Sequence, residues 1–200
     1  MDISTMRGLV RQDLKDEDSD NYRWTNDEID RAITRAVAEL SRYAARPIKT
    51  TIATTDDSRE IDISALTDRI SVDQVEFPID EHPRIFQRFT VYQDTLTLIG
   101  AYEGDGEDCY IFWTQVHTLD GDGSSIPTYL EDLVALGAAG FAASAASQYH
   151  TNRANAGGDN VDRDYLYWAT GRLMDFRKQL KQLRKNRKLR TSTFYTGDYD

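Results

Sequence analysis

The stretch that decides how this chain folds is ALGAAGFAASAAS, residues 135–147. Eleven of its thirteen residues are Gly, Ala or Ser, and only Leu136 and Phe141 are bulky. Side chains this small let a second backbone approach closely. Two readings follow. The stretch packs against another helix or the strands of its own subunit, or part of its face packs against a neighbouring subunit. Both flanks are too polar for a membrane dimer motif. The helix that carries it is expected to start at a capping box, Thr128 to Glu131, behind Pro127, and to run to about His150.

Toward the end of the chain, the Gly157-Gly158 pair is expected to separate this helix from a last one that begins near Asn160. On that helix Tyr165, Ala169, Leu173, Phe176, Leu180 and Leu183 recur every three or four residues, a narrow apolar seam. A seam that long predicts a helix that runs past the globular body and meets a partner helix. From Arg172 to Arg190 the chain holds nine Lys/Arg and one acid, Asp175. It then reads Thr193-Phe194-Tyr195-Thr196-Gly197-Asp198-Tyr199-Asp200. Aromatics with nothing local to pack on serve as anchors that order on binding, or else mark a frayed end.

Toward the start, Met6, Leu9, Val10 and Leu14 predict a helix over Ser4 to Lys15. An acidic loop, Asp16 to Asn21, follows. Thr25 then reads as an N-cap with Glu28 closing a capping box and Trp24 placed to staple onto Ile29. Ile29, Ile33, Ala36, Val37 and Leu40 form the buried stripe of a second helix, which Pro47 ends by about Arg46. From Ile48 to Val116 the period changes to two. Strands are expected at Ile48–Ile52, Arg59–Ile63, Ile70–Phe77, Phe89–Tyr92, Thr95–Ile99 and Cys109–Val116, with Gln93-Asp94 as a hairpin turn. The predicted class is α+β, mainly helical: a four-helix bundle with an inserted small antiparallel β-sheet or open barrel and an extended C-terminal arm. Residues 1–47 and 118–183 would form the bundle, 48–117 the β-rich insertion, and 184–200 the helix end and tail arm.

Composition narrows the function. Two hundred residues suit one ordinary domain, perhaps with an appendage. No apolar run long enough for a membrane span and no basic-then-apolar leader stand out, so a cytoplasmic origin is expected. The single cysteine, Cys109, excludes an internal disulfide and a cysteine-based metal cluster. Net charge is −10, unevenly placed: 172–190 carries +8, while residues 1–171 hold fifteen basic and thirty-one acidic side chains, or −16. So acidic a body repels phosphate backbones. The split predicts contact between the basic helix and the acidic body of a neighbour or partner, or else a solvated helix end favoured by the macrodipole.

Enzyme chemistry finds little footing. His82, His117 and His150 are far apart, with no His-x-x-x-His or His-Glu-x-x-His spacing. No Gly-rich loop follows a strand and opens a helix, and there is no Gly-x-Ser-x-Gly elbow. Asp120, Asp122, Ser124 and Glu131 fall at positions 1, 3, 5 and 12 of a calcium loop, but Ser125 stands where that turn needs Gly, and Glu131 is already assigned to a cap. The expectation is a non-enzymatic protein with no cofactor and no metal.

Three stretches together resemble a known family. They are Tyr22-Arg23-Trp24-Thr25-Asn26-Asp27-Glu28-Ile29 with Ala32, Ala36 and Leu40; Ile126-Pro127 with Leu130-Glu131-Asp132-Leu133-Val134-Ala135-Leu136-Gly137-Ala138-Ala139; and the long charged last helix. The chain resembles the head-tail connector (adaptor, or neck) proteins of tailed bacteriophages. That resemblance implies a structural virion protein, made in the host cytoplasm, that forms a ring docked on the portal protein. Neighbouring copies (a dodecamer in the virion) and a downstream neck or tail protein would be its partners. Genomic DNA would pass through the lumen without specific binding, and no membrane is involved. It also implies a portal-contacting arm, with Arg184, Lys185, Arg187, Lys188, Arg190, Phe194, Tyr195 and Tyr199 as its contact residues. Runner-up readings are a head-completion (stopper) or tail-completion protein and, more remotely, a nucleic-acid-associated protein using the basic helix.

Overall fold

The structure, a computed structural model, describes residues 1–100, 103–151 and 161–186. Its described residues divide into two compact units, 1–44 with 117–186 and Ala45–Val116. Their hydrophobic cores share no residue.

The helical unit contains α1 (Ile3–Leu14), α2 (Asn26–Tyr43), α3 (Glu131–Thr151) and α4 (Val161–Asn186). Asp2 caps α1 by accepting the Thr5 N–H at 2.8 Å, and this hydrogen bond holds its carboxyl below the usual range. Lys15 ends α1 in the left-handed conformation. The capping box of α2 forms as read: Glu28 N–H donates to Thr25 Oγ1 at 3.3 Å and Thr25 N–H to Glu28 Oε2 at 2.8 Å.

The four helices do not make a four-helix bundle. In a bundle each helix gives one stripe to a core shared between all four. Here α3 is itself the core: α1, α2 and α4 all pack on it, while α4 meets α2 far less. Every residue from Leu133 to Ala143 except Leu136 is buried. A helix that is apolar all round lies inside the protein, and the small residues let three neighbours surround it. A Cβ at Gly137 would stand 2.9 Å from the Phe176 ring, and one at Gly140 3.0 Å from the Leu173 side chain. The seam on α4 therefore meets a helix of its own chain, and Phe141 and Phe176 pack edge to face, 6.2 Å between centroids. By length and composition 128–147 is apolar enough to cross a membrane, contrary to the expectation, but 72% of that window is buried inside the chain.

The second predicted capping box does not form. Thr128–Leu130 is a single 3-10 turn with no side-chain cap, and Glu131 turns instead to the Met1 amino nitrogen, 3.4 Å away. The Gly157-Gly158 break lies outside the described residues.

The other unit is one six-stranded antiparallel sheet: β1 (Arg46–Ala53), β2 (Glu60–Asp62), β3 (Arg69–Glu76), β4 (Phe86–Tyr92), β5 (Thr95–Ile99) and β6 (Asp108–Gln115), in spatial order β1-β6-β3-β4-β5-β2. β1 and β2 are its edges, so the sheet curls without closing. Register irregularities bend β3 between Arg69 and Ser71 and between Val72 and Gln74. One face wraps a core of Ile61, Ile63, Leu66, Val75, Phe77, Leu96, Leu98, Cys109, Ile111 and Trp113. Alternation along β6 sends Tyr110, Phe112 and Thr114 to the opposite face. Gly104 is obligatory: its N–H and C=O bond Ser58 and Asp57, and a Cβ would strike the Thr55 carbonyl oxygen.

Candidate functional site

Three places concentrate polar or exposed chemistry. The first is the outer face of α4. Its inner line, Ala169, Phe176 and Leu180, is buried, while Leu166, Tyr167 and Met174 are exposed, Tyr167 and Met174 to 70% and 67%. One or two turns on, the same side carries exposed Arg177, Lys178 and Lys181, which line a shallow groove with Met174 and Gln182. Arg177 also pairs with Glu39 of α2 at 2.9 Å. The face is thus apolar first and cationic after.

The second is the His117 clasp. The imidazole is buried, with Nε2 2.8 Å from the Ala44 carbonyl oxygen and Nδ1 3.1 Å from Ser125 Oγ. Nδ1 also lies 3.0 Å from the Ser125 carbonyl oxygen, so the ring sits between two backbone carbonyls and a serine hydroxyl. The backbone N–H of His117 donates to Ser41 Oγ at 2.9 Å. This histidine is a tie between backbone segments.

The third lies on the outer face of the sheet. Glu76 on β3 stands directly across from Phe86 of β4 and from Tyr110 of β6. Phe86 is 43% exposed and packs edge to face with Phe112 at 6.3 Å. Lys49 Nζ of β1 sits 3.1 Å above the Tyr110 ring and 5.8 Å from Phe112. The loop after β3 folds back here, so that the Tyr110 hydroxyl lies 3.3 and 3.4 Å from the Asp80 carboxylate oxygens. Burial, then the charge and hydrogen bond of Asp80, then the charge of Glu76, hold the Tyr110 phenol above its ordinary value, so it stays a donor. Glu76 itself is 2% exposed. Its Oε1 is 3.9 Å from Arg84 Nε, and its Oε2 has no hydrogen-bond partner.

Against the sequence reading, Arg184 and Lys185 fall in the last turn of α4 before its end at Asn186. Arg187, Lys188, Arg190, Phe194, Tyr195 and Tyr199 lie outside the described residues. The calcium-loop positions fold differently. Asp120 Oδ1 accepts the N–H groups of Asp122 and Gly123, and Leu119 bridges Ser124, so 118–125 is a tight hairpin with Glu131 turned away to Met1. Among the described residues no group of three His, Cys, Asp or Glu could hold a metal.

Sequence reasoning missed Asp16, assigned to a solvated loop. It is 4% exposed, meets Arg11 at 2.5 Å and accepts the Arg23 N–H at 2.7 Å. Arg11 in turn donates to the Trp24 carbonyl and Asn26 Oδ1. The pair locks the end of α1 to the start of α2. It was missed because both partners are charged and no periodic pattern marks them. Glu76 was missed likewise, as one acid among many.

No protein-family model matches the chain, and no curated protein matches it significantly.

Proposed function

We propose that the chain is a structural assembly protein, a head-tail connector (adaptor) subunit of a tailed bacteriophage that rings with its own copies and docks on the portal protein. The observation that carries the reading is the partition of charge: a body of −16 up to residue 171, and a last helix whose exposed face bears Arg177, Lys178 and Lys181. Opposite signs on one subunit make a heterologous contact, cationic face on acidic neighbour, and repeated heterologous contacts close a ring. An acidic ring gives a lumen in which DNA does not adhere. The exposed Leu166, Tyr167 and Met174 on the same helix supply the apolar part such contacts need. The sequence resemblance then selects the neck among possible assemblies, with 184–200 as the portal-facing arm.

The test is deletion of Arg190 to Asp200, followed by incorporation into portal-containing particles. Loss of incorporation with normal folding supports the reading, and unchanged incorporation removes the portal from the partner set. Salt-dependent DNA binding by the purified protein, abolished by Lys178→Glu with Lys181→Glu, would move the assignment to a nucleic-acid-associated protein.

A further inference from the structure

Within the helical unit we infer a self-docking site: a cleft between α1, α3 and α4 that receives the outer face of α4 from a second copy of this chain. This rests on the proposed reading in which copies associate through the α4 face, and it names the surface that receives that face. The cleft accounts for Leu136, the one residue between Leu133 and Ala143 that the fold leaves unburied. Leu136 lines it with Leu133 and with Leu9 of α1, in a hollow of about 430 Å³. Asp13 of α1 and Asp132 of α3 add two carboxylates to the same wall. Arg172 lines it too, with its guanidinium over the Trp168 ring, 4.9 Å from the centroid.

The outer face of α4 has the matching character. Tyr167, Met174 and Lys181 are seven residues apart and so stand on one line along the helix. Lys178, one turn past Met174, adjoins that line, whereas Arg177 is already engaged by Glu39. An unbranched thioether fills an irregular apolar hollow, and lysine stems lie along apolar walls while their ammonium groups reach for an acid. Met174 thus fits against Leu9, Leu133 and Leu136, with Lys178 and Lys181 beside Asp13 and Asp132. Among the described residues none of these four charges forms an ion pair within its own chain. Docking supplies each with a partner of opposite sign.

Helix geometry makes the occupant a second copy. Arg172 and Gln179 line the cleft, and Met174 and Lys181 follow them by two residues each, about 200° further round α4. Face and cleft look away from each other, so no chain fills its own cleft. Contact between unlike surfaces leaves a free face at one end of an assembly and a free cleft at the other until a ring closes.

Sedimentation of the full chain is compared with that of two charge-reversed variants, Lys178→Glu with Lys181→Glu on the face and Asp13→Lys with Asp132→Lys in the cleft. Each alone sets like charge against like, and is expected to self-associate about tenfold more weakly or worse. Mixed one to one they recover, because every junction again joins opposite signs, and recovery shows that both are folded. A Met174→Cys chain mixed with a Leu136→Cys chain is expected to form an interchain disulfide faster than either alone, the native Cys109 being buried. If a charge variant misfolds, the cysteine pair decides. Loss of association in the face variant alone overturns the cleft and leaves the ring reading standing. Loss in the cleft variant alone, or in neither, removes the α4 face as the occupant, as does a disulfide no faster in the mixture. A chain still monomeric at about 1 mM also overturns the inference, and incorporation into portal-containing particles then decides the connector reading by itself.

Discussion

The helical unit and the sheet unit solve burial in opposite ways. Around α3 the helices come so close that glycine is the only residue to fit opposite Phe176, and a deep ion pair in that unit, Arg11–Asp16, is richly hydrogen-bonded. The sheet spends one face on an aliphatic core and leaves the other with a buried acid short of donors and a half-exposed phenylalanine. Close packing around a buried helix on one side and a two-faced sheet with a buried, under-bonded acid on the other are two different solutions to the same burial problem.

The sharpest way to break that contrast is Asp16→Ala. Removing one partner strands the Arg11 guanidinium, already buried, and is expected to destabilise the helical unit by about 3–5 kcal/mol. Hydrogen exchange read unit by unit should show faster exchange in α1 and α2 with β1–β6 unmoved; equal loss in both would mean the units fold as one. Gly137→Val comes next. Its Cβ would meet the Phe176 ring at 2.9 Å, and overpacking of this kind costs about 1–3 kcal/mol. A lower denaturation midpoint is expected, and an unchanged one would show that α3 and α4 have slack.

The smallest effect probes the sheet core. Burial pushes the Cys109 thiol from 9.0 up to about 11, with the Asp108 charge adding to it. The folded state therefore keeps its proton while the unfolded chain gives it up. Stability contributed by the neutral thiol is complete below 9.0 and falls as pH rises toward 11, by about 1 kcal/mol per unit. Cys109→Ala should flatten that slope in an alkaline unfolding series, and a slope that survives the substitution assigns it elsewhere.

Much of the architecture was legible locally. Alternation placed all six strands to within a few residues, and Thr25 with Glu28 announced the start of α2. What failed were inferences about who meets whom. The seam on α4 was assigned to an outside helix, because spacing names an apolar face without naming what covers it; the small residues of α3 turned out to be the cover. Thr128 and Glu131 matched a cap by spacing, but the chain enters α3 through a 3-10 turn, and Glu131 pairs with the Met1 amino group instead. Asp16, Glu76 and His117 were invisible as sites. Each acquires its role from groups brought close by the fold, and a lone acid or histidine in a string carries no trace of them. Of the proposed arm, Arg184 and Lys185 end α4 and the rest lies beyond the described residues.

The His117 clasp marks where the sheet unit is inserted into the chain of the helical one. The chain leaves the helical unit after Ala44 and returns at His117, whose ring holds the Ala44 carbonyl at 2.8 Å, while Arg46 and Gln115 are the first paired residues of the strands between. Departure and return are thus stitched together at both ends of the junction. What lies between is one unbroken insertion, 45–116, with a hydrophobic core of its own.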